Sequence, residues 1–228
     1  MTGIKNVKKR AGACEVEAAE PSQWQRERVT RQQRLYRAKL APASAELVNQ
    51  RPDDARWYCL IVVDGSELSV DSRLSDAGVE ALVPREKRSI LRKQKKGEPG
   101  KLIEVERACF EGYVFVRILP SPLAFMRLRE VKGVLEFLRA GERYHVVRSR
   151  DLGFYRGAFT GLNTERMKSD KTIGDGTKVL VKFGPFSGVE GVVLQVSKPA
   201  SRDPVARIWS ALYGKEIKNV PLAHLERL

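Results

Sequence analysis

KVLVKFGPFSGVEGVVLQV, residues 178–196, decides how the C-terminal part of this 228-residue chain folds. Lys178 to Phe183 and Gly191 to Val196 are rich in valine and leucine and read as two strands. Between them, Phe183-Gly184-Pro185-Phe186-Ser187-Gly188-Val189-Glu190-Gly191 makes a tight connection. Gly184, Gly188 and Gly191 allow positive φ and close backbone approach, and Pro185 presets φ for a turn. Phe186 then stands at the tip of a rigid loop. Two readings stay open: an apolar side chain displayed to a partner, or a plug closing one end of a barrel. Val205 to Leu212, Ile217 to Val220 and His224-Leu225 add three short strands. Many short strands in so small a span point to a barrel over residues 176–228, which closes its own sheet edges.

Working backwards, residues 160–175 hold Gly161, Asn163, Thr164, Ser169, Asp170, Thr172 and Gly174, with few large apolar groups, and read as a flexible linker. Residues 56–159 form a second unit. Trp57 to Val63 (WYCLIVV) is an unbroken apolar run, hence a buried strand. Asp64-Gly65-Ser66 turns it, and Ser66 or Asp64 can cap a helix over 66–77 that stops near Gly78. Strands follow at Val79 to Val83, Leu102 to Val105 and Gly112 to Ile118. Pro120-Ser121-Pro122 opens a helix over 122–130, Val134 to Leu138 is another strand, and Arg150 to Phe159 a last helix. The order β-α-β-β-β-α-β-α predicts an α+β unit with a mostly antiparallel sheet.

Residues 1–55 read as a basic extension. Residues 1–22 are polar and read as disordered, while residues 23–40 form a lone basic helix suited to docking on something. Pro42 and Pro52 punctuate the stretch that follows.

The net charge of +14 is spread along the chain: residues 1–55 carry 11 basic and 7 acidic groups, residues 56–155 carry 19 and 14, and residues 156–228 carry 12 and 7. Such an excess favours encounter with polyanions, nucleic acid above all. Three widely spaced cysteines, Cys14, Cys59 and Cys109, fit a reducing cytoplasm with neither a disulfide framework nor a zinc site. No apolar run approaches the roughly 18 residues of a membrane span, and no signal-peptide core opens the chain. The catalytic and phosphate-loop motifs G-x-x-x-x-G-K-S/T, H-E-x-x-H and G-x-S-x-G are missing, so the sequence predicts no enzyme, no cofactor and no metal.

Lys178 to Val196 resembles the KOW motif, and Leu212-Tyr213-Gly214-Lys215 with Val220-Pro221-Leu222 resembles the end of the same SH3-like barrel. Upstream, Trp57-Tyr58, Leu82-Val83-Pro84, Phe110-Glu111-Gly112-Tyr113-Val114-Phe115-Val116 and Gly133-Val134 occur in the order found in the N-terminal domain of the NusG family of transcription elongation factors. The resemblance covers residues 56–228 and implies an α/β sandwich with an antiparallel sheet followed by a KOW barrel. It implies that the first domain binds the β′ clamp helices of RNA polymerase, bridges toward the β gate loop and discourages pausing, with Ile61, Phe110, Tyr113, Val134 and Phe137 at the contact. It implies that the basic stretch Arg85, Lys87, Arg88, Arg92, Lys93, Lys95 and Lys96, together with Lys132, meets upstream DNA phosphates. It further implies that Phe186, Tyr213 and Lys215 of the barrel recruit the ribosomal protein NusE, or Rho, with the chain acting as a monomer.

Three departures stand out. The loop after Gly184-Pro185-Phe186 is shorter than in the housekeeping factor, where a second Phe follows. Glu111 stands where the family usually has Pro. Val63-Asp64 replaces the basic pair by which some specialised paralogues read non-template DNA. The competing reading is a ribosome- or RNA-associated KOW protein, from which the Trp57–Phe159 block distinguishes this chain.

Overall fold

The structure, a computed structural model, describes residues 22–92, 101–158, 170, 172–198 and 204–228. The first described elements are helix α1 (Gln23–Leu40), a 3-10 turn (Ala41–Ala43) and a short helix α2 (Ala45–Gln50). Ser44 caps α2 by accepting from Leu47 N at 3.5 Å, and Ala45 N donates to Gly78 O at 2.8 Å. Leu40, Ala43 and Val48 are buried in the same core as the strands that follow. The second half of the extension is therefore part of the first folded unit, where a lone helix was expected. Leu40, Ala43 and Val48, with the half-buried Tyr36 beside them, carry that docking, too few to stand out as a periodic stripe.

The first unit comprises β1 (Arg56–Val62), α3 (Glu67–Asp76), β2 (Glu80–Leu82), the hairpin strands β3 (Arg85–Arg92) and β4 (Lys101–Ala108), β5 (Tyr113–Ile118), α4 (Pro122–Arg129), β6 (Val134–Phe137), the small ladder β7 (Arg139–Ala140) and β8 (Arg143–Tyr144), β9 (Val146–Val147) and α5 (Ser149–Ala158). Its main sheet runs β2-β5-β1-β6, with β9 also on β1, and all its pairings are antiparallel. Side chains alternate across the sheet. Tyr58, Leu60, Val62, Val114, Val116 and Ile118 pack under the helices with Leu40, Val70, Leu74 and Leu128. Trp57, Cys59, Tyr113 and Phe115 face the other way and share a cluster with residues of the C-terminal sheet. Both faces of β1 are covered, which is why its sequence is an unbroken apolar run instead of an alternating one.

The entry to α3 differs from the expected cap. Ser66 makes no capping bond; its hydroxyl donates to Val63 O at 2.6 Å. The buried Glu67 carboxylate instead accepts from Gly65 N at 3.1 Å and Gly112 N at 2.6 Å, tying the β1–α3 turn to the start of β5. At α4, Ser121 caps as its position before Pro122 suggests, accepting from Ala124 N at 3.1 Å.

The C-terminal unit is a five-stranded antiparallel, barrel-like sheet: β10 (Lys178–Val181), β11 (Glu190–Ser197), β12 (Val205–Ser210), β13 (Lys215–Pro221), a 3-10 turn (Leu222–His224) and β14 (Leu225–Arg227), in the order β13-β12-β11-β10-β14. Bulges at Val193/Gln195 and Ala206/Ile208 give the long strands their curl. Gly191 is required by close approach, since a Cβ there would lie 2.3 Å from Ile208 Cγ2 and 2.7 Å from Trp209 O. Most of the expected linker lies outside the described residues, but Ile173 at its end is buried with the barrel core.

Candidate protein-interaction surfaces

The β10–β11 connection brings the two units together. Gly184 and Gly188 both take positive φ, at 88° and 86°, and fold the loop so that Ser187 N donates to Gly184 O at 3.0 Å and Gly188 N to Val181 O at 2.7 Å. Phe186 at its tip is only 1% exposed. It is covered by the first unit's sheet and by Tyr213: ring centroids lie 5.1 Å from Tyr113, 5.8 Å from Phe110 and 6.4 Å from Tyr213, all near edge-to-face. Each such pair adds about 0.5–1.5 kcal/mol beyond simple burial. The tip residue is thus neither a displayed side chain nor a plug at a barrel end. It is the centre of an aromatic contact between the two units.

Polar groups ring this centre. Tyr113 Oη donates to Glu216 O at 3.2 Å. His145 Nε2 lies 3.3 Å from Pro185 O, and Tyr213 Oη lies 3.3 Å from His145 Nδ1. One tautomer serves both contacts: Nε2–H donates to Pro185 O, while bare Nδ1 accepts from the Tyr213 hydroxyl. Burial lowers the His145 pKa, partly offset by the bond to Pro185, and burial raises the pKa of the Tyr113 and Tyr213 phenols. At the rim, Lys218 pairs with Asp64 at 2.6 Å and Lys215 pairs with Glu136. Both pairs are well exposed, so each contributes little.

The residues singled out from the sequence separate into groups. Phe110 and Tyr113 are buried beneath Phe186, and Ile61 is half-buried at the border of the same cluster, lining an open cleft with Lys215 and Lys218. Val134 and Phe137 lie in the interior on the helix side instead. Phe137 sits 5.0 Å from Phe125, 5.2 Å from Tyr144 and 6.3 Å from Tyr58 by ring centroid. The pairing explains this: Phe137 is opposite Leu60, so it shares Leu60's face, whereas Glu136 is opposite Ile61 and meets the barrel through Lys215. In the barrel, Phe186 and Tyr213 are buried in the contact and Lys215 is half-buried by its ion pair; Gly184 and Pro185 are buried, while Gly188 is exposed.

Among the basic residues, Arg85 is engaged within the chain, 2.6 Å from the buried Asp71 and 3.4 Å from Glu106, and hydrogen bonding to Asp71 raises its pKa. Lys87 and Lys132 are exposed. Arg88 and Arg92 lie on β3, opposite Val105 and Lys101; Lys93, Lys95 and Lys96 lie outside the described residues.

The sequence did not single out Glu67, Glu136, His145 or Lys218, each a lone polar residue whose role depends on a partner far along the chain. An open groove of about 700 Å³ between α4 and β6, lined by Phe125, Met126, Leu135 and Tyr144, also carried no sequence signal. Among the described residues no cluster of His, Cys, Asp and Glu could hold a metal ion, and no helix is long and apolar enough to cross a membrane. Cys59 is fully buried and its thiol is pushed well up by desolvation, which makes it an inert packing residue.

Residues 55–153 match the family model described as transcription termination factor nusG. The transcription termination/antitermination protein NusG of Synechocystis is 24% identical over 191 residues, covering 75% of this chain and 88% of that protein. Among solved structures, one described as showing domain interaction in Thermotoga maritima NusG is 19% identical, covers 76% of this chain and 97% of its own, and superposes with a TM-score of 0.39. The MjSpt4:Spt5 complex in conformation A is 12% identical, with coverage of 75% and 97% and a TM-score of 0.25.

Proposed function

We propose that this chain, whose residues 55–153 match the NusG family model, binds RNA polymerase, at the β′ clamp helices and toward the β gate loop, through the face of the first sheet that Phe186 covers. The observation that carries this is the aromatic contact itself. Phe110 and Tyr113 on one side, and Phe186 and Tyr213 on the other, are large aromatic groups brought together from separate units. Aromatics massed in this way are the usual anchors of protein interfaces. Each face is the other's occupant in this conformation, so engaging polymerase requires the barrel to leave. The barrel's own face, Phe186, Tyr213 and Lys215, is then free for a second partner, NusE or Rho. Lys87 and Lys132, with the basic β3–β4 hairpin, supply sequence-independent contact to upstream DNA phosphates.

The mechanism is a population shift, with no catalytic step. A polymerase surface that binds only the separated form draws the equilibrium toward it, and its apparent affinity is scaled by the fraction already open. The setting is the bacterial cytoplasm, alongside the nucleoid. The test is co-purification of polymerase with the full-length chain and with Tyr113→Ala and Ile61→Ser. Both substitutions are expected to reduce the polymerase recovered, even though Tyr113→Ala also loosens the barrel. Undiminished recovery with both would overturn the proposal.

A further inference from the structure

Helix α1 lies outside the family match and takes no part in the contact between the two units. Its C-terminal end is fixed: Leu40 is buried, Arg37 Nη2 donates to Asp76 O at 3.3 Å, and Lys39 pairs with Glu130 at 2.8 Å. The rest stands clear. Trp24 is 60% exposed and Leu35 64%. Six of its 18 residues are Arg or Lys, and its one carboxylate, Glu27, accepts from Gln23 Nε2 at 3.1 Å. Among the described residues, no carboxylate pairs with Arg28, Arg31 or Arg34; the Arg28 guanidinium lies 5.7 Å from the centroid of the Trp24 ring.

The direction of these arginines decides what they suit. At about 100° per residue, Arg28, Arg31 and Arg34 span about 120° of arc. The centre of that arc lies about 160° from the direction of Tyr36 and Leu40, the side chains that dock the helix. Arg28 and Arg31 therefore point away from the body of the protein, while Arg34 stands exposed at the edge of an open cleft shared with Ser75 and Asp76 of α3. Trp24 and Leu35 fall inside the same arc, among the arginines. A bilayer surface asks for the opposite arrangement, an apolar stripe segregated from the cations. Single-stranded nucleic acid is held on platforms of several aromatics, and α1 offers one exposed ring. A rigid helix about 27 Å long with charge spread over a wide arc suits a groove with phosphates on both walls. The major groove of B-form DNA, about 12 Å wide, admits such a helix, whereas that of A-form RNA is too narrow.

We propose that α1 is a second, sequence-independent binding element for duplex DNA, carried by Arg28, Arg31 and Arg34. It acts on DNA directly and does not depend on the polymerase contact. The experiment uses the full-length chain without polymerase, measuring anisotropy of a labelled DNA duplex of arbitrary sequence across a salt series. Each lost phosphate contact removes about 0.9 unit from the log–log salt slope, so Arg28→Gln/Arg31→Gln/Arg34→Gln is expected to flatten it by about 2.7 units. The matching triple Lys variant is expected to keep the slope, and thermal melting is expected to be the same for all three proteins. An unchanged slope in the Gln variant overturns the proposal. So does equal loss in the Lys variant, which would mark a structural role, and so does an equal loss of binding to single-stranded RNA or to phosphatidylserine vesicles.

Discussion

Phe186→Ala is the perturbation that most directly loosens the contact between the two units. The ring is almost fully buried and lies against Phe110, Tyr113 and Tyr213, two of which belong to the first unit. Removing a buried phenyl group costs about 3–5 kcal/mol when nothing relaxes to fill the gap. Here the barrel can withdraw and let water in, so the lower figure of about 3 kcal/mol applies to the closed arrangement. That corresponds to a shift of about a hundredfold in the ratio of open to closed forms. The rim ion pairs cannot compensate, since exposed pairs contribute about 0–1 kcal/mol each. The assay is energy transfer between dyes placed on exposed positions, one in each unit, with polymerase titrated in parallel. Transfer is expected to fall in the free variant. Apparent affinity for polymerase is expected to rise by up to the parent's closed-to-open ratio, because binding no longer has to open the chain. Unchanged transfer and unchanged affinity, with the barrel's own melting intact, would refute the reasoning.

Other expectations follow from the same geometry. Glu136→Lys should place two cations against each other at the rim and shift the closed-to-open ratio by about fivefold at most, ~1 kcal/mol, against about a hundredfold for Phe186→Ala; adding Lys215→Glu should restore it. His145 has a depressed pKa in the closed form, so its contribution to closure is present above the ordinary value of 6.5 and is lost as pH falls. Interdomain transfer should therefore decline on acidification, and His145→Gln should remove that part of the pH dependence. Within the barrel, burial takes the His224 pKa from 6.5 to about 4, so barrel stability should fall across that interval, readable as a drop in its melting temperature. Leu40→Ala and Val48→Ala should each destabilise the first unit by about 2–5 kcal/mol in urea melts, whereas shortening the chain ahead of residue 35 should leave that stability alone.

Much of the architecture was legible because each strand carries its own signal. The run at β1 announces a strand covered on both faces, and the Gly184-Pro185-Phe186 turn with its flanking valines announces the barrel hairpin. The two helices α3 and α4 fall within a residue or two of where their flanking turns place them. What escaped was set by pairing across distance. Phe137 and Glu136 differ by one position, and only the register with Leu60 and Ile61 tells which of them faces the barrel. The expected cap at α3 is not made; Glu67 instead ties the turn before the helix to Gly112, far along the chain, which brings a second N–H to that carboxylate. The docking of residues 40–50 rests on Leu40, Ala43 and Val48, which fill space left between helices and sheet and have no period of their own. That the aromatic faces of the two units cover each other is a tertiary fact that neither segment encodes alone.

The most direct measurement is a nuclear Overhauser contact between the rings of Phe186 and Tyr113 in the full-length chain, recorded free and then with RNA polymerase added. The two centroids are 5.1 Å apart, close enough for the contact to appear. The cross-peak is expected in the free protein and expected to vanish as polymerase binds. Its absence from the free chain, or its persistence in the bound one, would contradict the account.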